Sequence, residues 1–467
     1  MWDYLIKGAR TVDPLNHLDD ATDIAIKNGK VAEVGKDLNA ANAKEVLNFP
    51  GMVAQPGIID PHLHLGINAL GFRMEALAGV TTCLDMAGET DFILKNSREH
   101  GCGINFAVLQ ALLPGQNLSS NDPDDSEIRQ VIDKVLAEGA YGVKILGGHF
   151  PLTPAACERV LRICDERGVY VAWHAGSTTE GSNIRGMKQA VEIAGDRFLH
   201  LAHINAYCRG AVKTVEEETQ EAIDLLKTHP SIVSESYLSA RNGSKLNYDE
   251  KGVPLSGVTR NCLKRFGFSI DTQGIKDAIT KGYLSVIVEE NGLSVLADKK
   301  RSVELFEEMK GDVSASFDFV NPFLPRAWLA SAKRDNGRFV VDALSTDGGC
   351  IPRNVIIESG VSLIRLGALS ATEFAVKSSV NPAKMLNLPT KGHLSVGADA
   401  DITVYDPIAQ KAVATFVAGT PVMLDGKVIE KEGTVIAHPA SKKFLTENQY
   451  RHICVEADIN ALKHWHG

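Results

Sequence analysis

The sequence has few cysteines for its length and no closely spaced pair of them. Its eight cysteines are scattered along the chain, and none forms a CxxC motif. Small disulfide-stabilised proteins carry cysteine at far higher density. We therefore expect reduced cysteines and a cytoplasmic protein.

Long apolar runs and an excess of positive charge are also missing. No run of about 18 apolar residues occurs, which a membrane-spanning helix would need. The first eight residues, Met1–Gly8, lack the basic region followed by an apolar region that marks an export signal. The formal net charge is -9 and the basic residues are mixed with acidic ones, whereas nucleic-acid binding needs a positive surface. We expect a protein that is not exported, does not cross a membrane and does not bind nucleic acid.

The sequence does contain enough apolar residues for one large domain and a smaller one. Its 467 residues are 44% hydrophobic and 23% charged, which is ordinary globular composition. Short alternating strands occur at both ends, and the turn Lys27–Lys30 is a strong hairpin signal. These patterns predict a small β-sandwich composed of residues 1–52 and 389–440, followed by a helical tail at 441–467.

Strands alternate with helices between the two ends, over residues 53–388. This alternation is typical of βα units around a parallel sheet, and the number of units suits an α/β fold of the (β/α)8 TIM-barrel type. The predicted strands are Met52–Ile59, Val80–Met86, Ile104–Gln110, Gly142–Leu146, Val169–Trp173, Phe198–Ala202, Ile232–Glu235 and Phe339–Leu344. The stretch at about 244–338 is too long for a simple connection, so we predict an insertion there, either a lid or extra helices.

Two histidines end the first predicted strand. His62 and His64 in Pro-His-Leu-His are two residues apart, so their side chains point the same way from a strand. At the carboxyl end of a barrel strand that direction leads into the usual active-site position. Two imidazoles there suit Zn²⁺ or a similar cation. Taken alone, the pair could equally lie on a surface loop.

Three further polar residues follow other predicted strands. His174, His203 and Asp347 each come at the carboxyl end of a different apolar run. A lone histidine in such a place is more often a hydrogen-bonded core residue than a ligand. Four histidines and an aspartate at one rim are better explained by metal binding.

Lys144 lies inside an apolar strand, where a charged ammonium is costly. The lysine either finds a partner, as in a salt bridge, or loses its proton. An unprotonated amine could react with CO₂ and give a carbamate that bridges two cations.

Together these segments resemble the amidohydrolase superfamily, in particular the binuclear branch with a carboxylated lysine. Hydantoinases, dihydropyrimidinases, isoaspartyl dipeptidases and N-acyl-amino-acid deacylases are similar. The resemblance implies two divalent metal ions, zinc or else Mn, Fe, Co or Ni. It implies that His62, His64 and Asp347 bind one ion, that His174 and His203 bind the other, and that carboxylated Lys144 bridges them.

The metal chemistry predicts the reaction type. Water shared by two dications is hydroxide near neutral pH and would attack an amide carbonyl. Asp347 would carry the proton to the departing nitrogen, as a general acid-base residue does.

The residues around these motifs bear on the substrate. Dihydroorotases of this branch carry an arginine two residues after the second histidine, whereas Gly66 stands there in this chain, which disfavours dihydroorotase. His149 takes the place of the oxyanion-stabilising tyrosine of hydantoinases and could donate the same hydrogen bond, although a solvated loop histidine is an equal alternative.

Several other polar residues are candidates for substrate binding. Arg241, Asn242 and Asn205 follow predicted strands and could bind a carboxylate or amide edge. The sequence does not indicate which way three cations of the insertion point, namely Lys245, Arg260 and Arg265.

The leading hypothesis is hydrolysis of a cyclic amide, such as a hydantoin, a dihydropyrimidine or a lactam-like ring. A linear amide, as in deacylases and isoaspartyl dipeptidases, is the close alternative. A non-catalytic scaffold is a remote one, because such relatives lose their ligands and this chain keeps all six. We also expect a homo-oligomer, as in the families it resembles.

Overall fold

The computed structural model describes residues 1–466 and contains the predicted barrel. Eight parallel strands surround its axis, and each of them overlaps a strand that the sequence predicted. Barrel strands 1 to 8 are Ile58–Leu63, Val80–Met86, Asn105–Leu112, Gly142–Leu146, Tyr170–His174, Leu199–Leu201, Ile232–Tyr237 and Ala343–Ser345.

Neighbouring barrel strands pair in parallel from strand 1 round to strand 8. Lys144 of strand 4 lies beside Ala172 of strand 5, and Glu235 of strand 7 lies beside Ala343 of strand 8. Strands 8 and 1 are joined just beyond strand 8, where the Asp347 N–H donates to the His62 carbonyl at 2.8 Å. The barrel is therefore nearly closed, and its last bond is made by the residues that carry the site.

Helices cover the outside of the barrel. Pro154–Arg167 is representative: Thr153 caps its first turn by accepting from the Ala156 N–H, and Gly168 ends it in the left-handed conformation. Its buried face joins the main core. The outer helices are Gly71–Leu77, Thr90–His100, Asp125–Ala137, Pro154–Arg167, Ile184–Ala194, Val215–Thr228, Phe323–Ser331, Ile356–Arg365, Ala371–Ala375 and Asn381–Met385.

Two sheets from the chain ends pack around a separate core. The first contains Trp2–Lys7, Asp23–Lys27, Lys30–Gly35 and Ala43–Asn48. The second contains Arg10–Asp13, Leu18–Ala21, Val53–Pro56, Ile402–Asp406, Lys411–Val417, Thr420–Leu424 and Lys427–Val428. The predicted hairpin is present: Asn28 and Gly29 both have positive φ, as a two-residue turn requires.

Three segments lie elsewhere than the sequence indicated. Val53–Pro56, half of the predicted barrel strand Met52–Ile59, pairs with Arg10–Asp13 and Ile402–Asp406 of the sandwich, and barrel strand 1 begins only at Ile58. Thr434–Ala437, which we had assigned to the sandwich, pairs in parallel with barrel strand 3, because its apolar side chains are buried against the barrel. The tail is not purely helical: Lys442–Glu447 and Ile459–Lys463 are helices, but His452–Cys454 is a strand that pairs with Thr434–Ala437.

The insertion at 244–338 contains a small layer of its own beside the barrel mouth. Its antiparallel sheet consists of Asn242–Lys245, Leu284–Glu290, Leu293–Leu296 and Ser314–Phe317. Three helices, Gly257–Arg265, Thr272–Lys281 and Lys299–Glu308, share a core with that sheet. In residues 1–466, none of the helices has the length and apolar character needed to span a bilayer.

Candidate metal centre at the barrel mouth

The histidines of strand 1 meet the aspartate that follows strand 8. His64 Nε2 lies 2.8 Å from Asp347 Oδ1, and His62 Nε2 lies 3.6 Å from the same oxygen. One ligand atom from each of these residues falls within 4.8 Å of the others. Two imidazoles and a carboxylate at this spacing can bind one divalent cation.

The second pair of histidines forms a similar arrangement beside the first. His174 ends strand 5, His203 follows strand 6, and His203 Nε2 lies 3.1 Å from His174 Nδ1. Two nitrogens bound at 2.0–2.1 Å to one tetrahedral zinc ion stand about 3.3 Å apart. His203 Nδ1 is buried and has no hydrogen-bond partner in residues 1–466. This pair therefore fits a second cation.

Three of the four histidines are neutral. Burial lowers the pKa of His62, His174 and His203 well below the ordinary imidazole value. Only a neutral imidazole has the free lone pair that binds a cation. The histidines are thus in the protonation state that metal binding requires.

Lys144 lies in the barrel interior next to His62. Its Nζ is 3.2 Å from His62 Nε2 and 3.1 Å from Met86 Sδ, and no carboxylate of residues 1–466 forms an ion pair with it. Desolvation by burial lowers the pKa of Lys144 to about 8. A large part of this lysine is therefore an uncharged amine slightly above neutral pH.

Glu235 of strand 7 holds the two histidine groups in place, and the sequence analysis missed it. Its Oε1 accepts from His62 Nδ1 at 2.6 Å and from the backbone N–H of His203 at 2.5 Å. Ser345 Oγ donates to its Oε2. A carboxylate behind a metal-binding histidine fixes the ring and its tautomer. A glutamate inside an apolar strand was the available signal in the sequence.

Arg353 fixes the catalytic candidate Asp347, and it too was missed. The arginine is buried, its Nη2 lies 2.8 Å from Asp347 Oδ2, and its Nε donates to the Asp347 carbonyl. Burial alone would raise the pKa of Asp347, but the charge of Arg353 and the bond to His64 hold that pKa well below its usual value. Oδ1 remains directed at the histidines.

A cavity of about 2130 Å³ joins this cluster to the insertion. His149 and Asn242 line it, and the His149 ring lies 5.4 Å from the His174 ring. Desolvation lowers the pKa of His149, so a neutral ring can donate one N–H into the cavity.

The other two substrate-binding candidates do not line the cavity. The Arg241 side chain lies 3.6 Å from Asp318, which attracts it outward. Asn205 is buried in the wall, where its Oδ1 accepts from Ser236 Oγ and from the Tyr237 N–H at 3.1 Å each.

Comparison with known proteins gives a consistent picture. The model of the amidohydrolase family matches residues 324–429. A dihydroorotase from Geobacter metallireducens is 23% identical over 430 residues, covering 87% of this chain and 90% of that protein. A D-hydantoinase from Ralstonia pickettii is 23% identical over 467 residues, covering 92% of this chain and 96% of that protein. A solved D-aminoacylase variant in complex with copper chloride shares the fold, with a TM-score of 0.66 and 16% identity over 94% of this chain and 100% of that chain.

Proposed function

The chain belongs to the amidohydrolase superfamily, and from this premise we propose that it uses a binuclear metal centre to hydrolyse the C–N bond of a cyclic amide. One observation carries the proposal. Six residues suited to binding two metal ions converge at one barrel mouth. They come from five barrel strands or from the turns after those strands. They are His62, His64, Lys144, His174, His203 and Asp347.

The donor set suits two divalent cations. His62, His64 and Asp347 would bind one, and His174 and His203 the other. Zinc fits imidazole and carboxylate ligands well, although Mn, Fe, Co and Ni accept the same set. Two such cations supply Lewis acidity, which lowers the pKa of water and polarises the amide carbonyl.

Lys144 would join the two halves as a carbamate. Its ammonium would first lose one proton, and the neutral amine would then attack CO₂. A C–N bond forms as one C=O π bond of CO₂ breaks, and a second proton is released to solvent, so that a cation is replaced by an anion with two oxygen ligands. The absence of an ion-pair partner in residues 1–466 supports this role, because the carbamate removes an uncompensated buried charge.

Asp347 would take the proton from the attacking water and deliver it to the departing nitrogen. Arg353 holds Oδ2, so that only Oδ1 faces the reacting groups. His149 would donate its N–H to the oxygen of the tetrahedral intermediate, since its side chain lines the same cavity.

The ring substrate is favoured over a linear amide by the sequence relatives. The dihydroorotase and the D-hydantoinase match nearly the whole chain, whereas the D-aminoacylase shares only the fold. A non-catalytic scaffold is disfavoured because no candidate ligand is missing. We further propose a cytoplasmic homo-oligomer that contains zinc.

The test is a panel of amides with the zinc-loaded protein in bicarbonate buffer. Dihydrouracil, hydantoin and dihydroorotate represent rings, and N-acetyl-amino acids and β-aspartyl dipeptides represent linear amides. At least one ring should be opened with a kcat/KM about 100-fold above every linear amide, a margin that differential transition-state binding can supply. His174→Asn is the matched inactive control. Faster cleavage of a linear amide would contradict the ring assignment.

A further inference from the structure

Arg209 stands in the cavity wall with only neutral partners. It follows strand 6, and its Nε donates to Asn321 Oδ1 at 2.8 Å. Its Nη2 donates to Tyr237 Oη at 2.7 Å and to Asn242 Oδ1 at 3.3 Å. No carboxylate of residues 1–466 forms an ion pair with this guanidinium, and its Nη1 bonds to none of their atoms. The side chain is thus fixed in place while its charge is left uncompensated.

A second guanidinium faces the same part of the cavity. Arg265 ends the helix Gly257–Arg265 of the insertion, lines the cavity and forms no hydrogen bond within residues 1–466. Desolvation and, after it, the charge of Arg209 lower the pKa of Arg265, and both guanidinium groups line one cavity.

Glu218, whose charge acts on Arg265, forms no ion pair with either arginine. Glu218 accepts backbone N–H bonds from Gly210, Val212 and Lys213 at 2.6, 2.7 and 3.0 Å. Its carboxylate therefore serves to hold the loop that carries Arg209. Two like charges that line one cavity and form no ion pair with the described residues favour an anionic ligand.

Arg209 lies close to the proposed metal centre. The Tyr237 ring is 6.2 Å from the His203 ring, and its hydroxyl is the group that Arg209 holds. Tyr237 thus separates Arg209 from the second pair of histidines, to which His203 belongs. A substrate whose amide reaches the histidines could place another of its groups at the arginines.

We propose that Arg209 and Arg265 form the subsite for a substrate carboxylate, so that the preferred substrate is an amide carrying a carboxylate away from its scissile bond. This inference rests on the proposed function. The carboxylate would be bound by Arg209, in the loop after strand 6, and by Arg265, in the insertion. This chain has Gly66 at the position where dihydroorotases of this branch have an arginine. Asn242 acts here by positioning Arg209.

The first experiment compares two rings that differ by one carboxylate. Wild-type holoenzyme should open dihydroorotate with a kcat/KM about 10- to 100-fold above dihydrouracil, the range expected for a charged hydrogen bond. Arg209→Gln and Arg265→Gln should each reduce that preference, because kcat/KM for dihydroorotate should fall at least about 10-fold more than kcat/KM for dihydrouracil. Lys213→Gln is the matched control, because Lys213 lines the cavity but pairs with Glu221 at 2.7 Å. Equal turnover of both rings by wild type and Arg209→Gln would overturn the subsite and leave the proposed function standing.

A binding experiment separates the two proposals. Succinate should raise the melting temperature of zinc-loaded protein and bind Arg209→Gln at least about 10-fold more weakly, whereas succinamide should have no effect. If no amide is hydrolysed but succinate binding depends on Arg209, the proposed function fails and the carboxylate subsite stands. If Arg209→Gln does not fold, succinate binding is compared between wild type and Arg265→Gln, because the Arg265 side chain is exposed. Arginine-dependent binding of inorganic phosphate in preference to succinate would assign the pair to a phosphate and overturn the proposal.

Discussion

Burial determines what each residue of the proposed centre can do. It makes three imidazoles neutral and leaves Lys144 with a pKa of about 8, so metal ligands and a carbamate-forming amine become available near neutral pH. The type and order of these residues are visible in the sequence. Glu235 stands out locally as a glutamate inside an apolar strand, but its partners are distant in the chain. Arg353 and Arg209 act through contacts with distant segments, which no local pattern in the sequence records.

Replacement of Lys144 tests the carbamate. Lys144→Ala should lose nearly all turnover and regain part of it in millimolar short-chain carboxylic acid, which can replace the bridging oxygens. Lys144→Arg should remain inactive, because a guanidinium does not react with CO₂. Full activity of Lys144→Arg would rule the carbamate out.

The pKa of Lys144 also predicts a pH dependence. Only the neutral amine reacts with CO₂, so carboxylation should increase as the pH rises through about 8. Carbon-13 NMR of metal-free protein in labelled bicarbonate should show a carbamate signal that grows between pH 6.5 and 8.5 and is absent from Lys144→Ala. A signal that falls with pH would contradict this assignment.

Asp347→Asn tests the proton carrier. The amide keeps one oxygen ligand but loses the basic carboxylate, so kcat should fall about 100- to 10,000-fold while metal content falls modestly. A variant with both metals and more than about a tenth of wild-type kcat would show that Asp347 is only a ligand.

Glu235→Gln tests the positioning of His62. The amide oxygen can accept the same two hydrogen bonds but carries no negative charge, so it holds His62 Nδ1 and the His203 N–H more weakly and zinc affinity should fall about 10- to 100-fold. At saturating zinc, kcat should return close to the wild-type value, which separates positioning from catalysis. Glu289→Gln is the control, because Glu289 also lines the cavity and forms no hydrogen bond with the histidines. Unchanged zinc affinity would show that Glu235 has no such role.

At the scale of elements, the turns after the barrel strands bring the ligands together. Strand-helix alternation predicted strands that overlap all eight, because local apolar patterns define them. The place of Thr434–Ala437 beside strand 3 could not be predicted, since its partner lies more than three hundred residues away in the chain. The position of Arg209 likewise depends on the folded shapes of one loop and of the insertion.

The turn after strand 4 is packed tightly against a proposed ligand. A Cβ added at Gly148 would lie 2.2 Å from His174 Nε2. Gly148→Ala should therefore displace His174 and reduce bound zinc from about two equivalents towards one, which metal analysis can measure. At Gly257, which also lines the cavity, the nearest atom to an added Cβ is 3.7 Å away, so Gly257→Ala should behave as wild type. Two zinc ions bound with unchanged affinity in Gly148→Ala would place His174 outside the site.

At the scale of the whole molecule, the barrel supplies the ligands and the insertion supplies the far wall of the cavity. The barrel sets the reaction through five strands and the turns after them, whereas Arg265 comes from the insertion's helical layer. The proposed metal ligands thus come from the barrel alone, whereas the proposed carboxylate subsite combines Arg209 of a barrel loop with Arg265 of the insertion. Changes in the insertion should alter which amide is cleaved while the metal-binding residues stay in place.

A metal titration tests the central claim most directly. Metal-free protein in bicarbonate buffer is supplied with zinc in steps, and bound metal and ring-opening rate are measured on the same samples. We expect negligible ring opening without metal and a rate that reaches its plateau at about two bound zinc equivalents. His174→Asn should bind about one equivalent and have a far lower rate. Undiminished ring opening by metal-free protein, or a protein that binds no zinc at all, would contradict it.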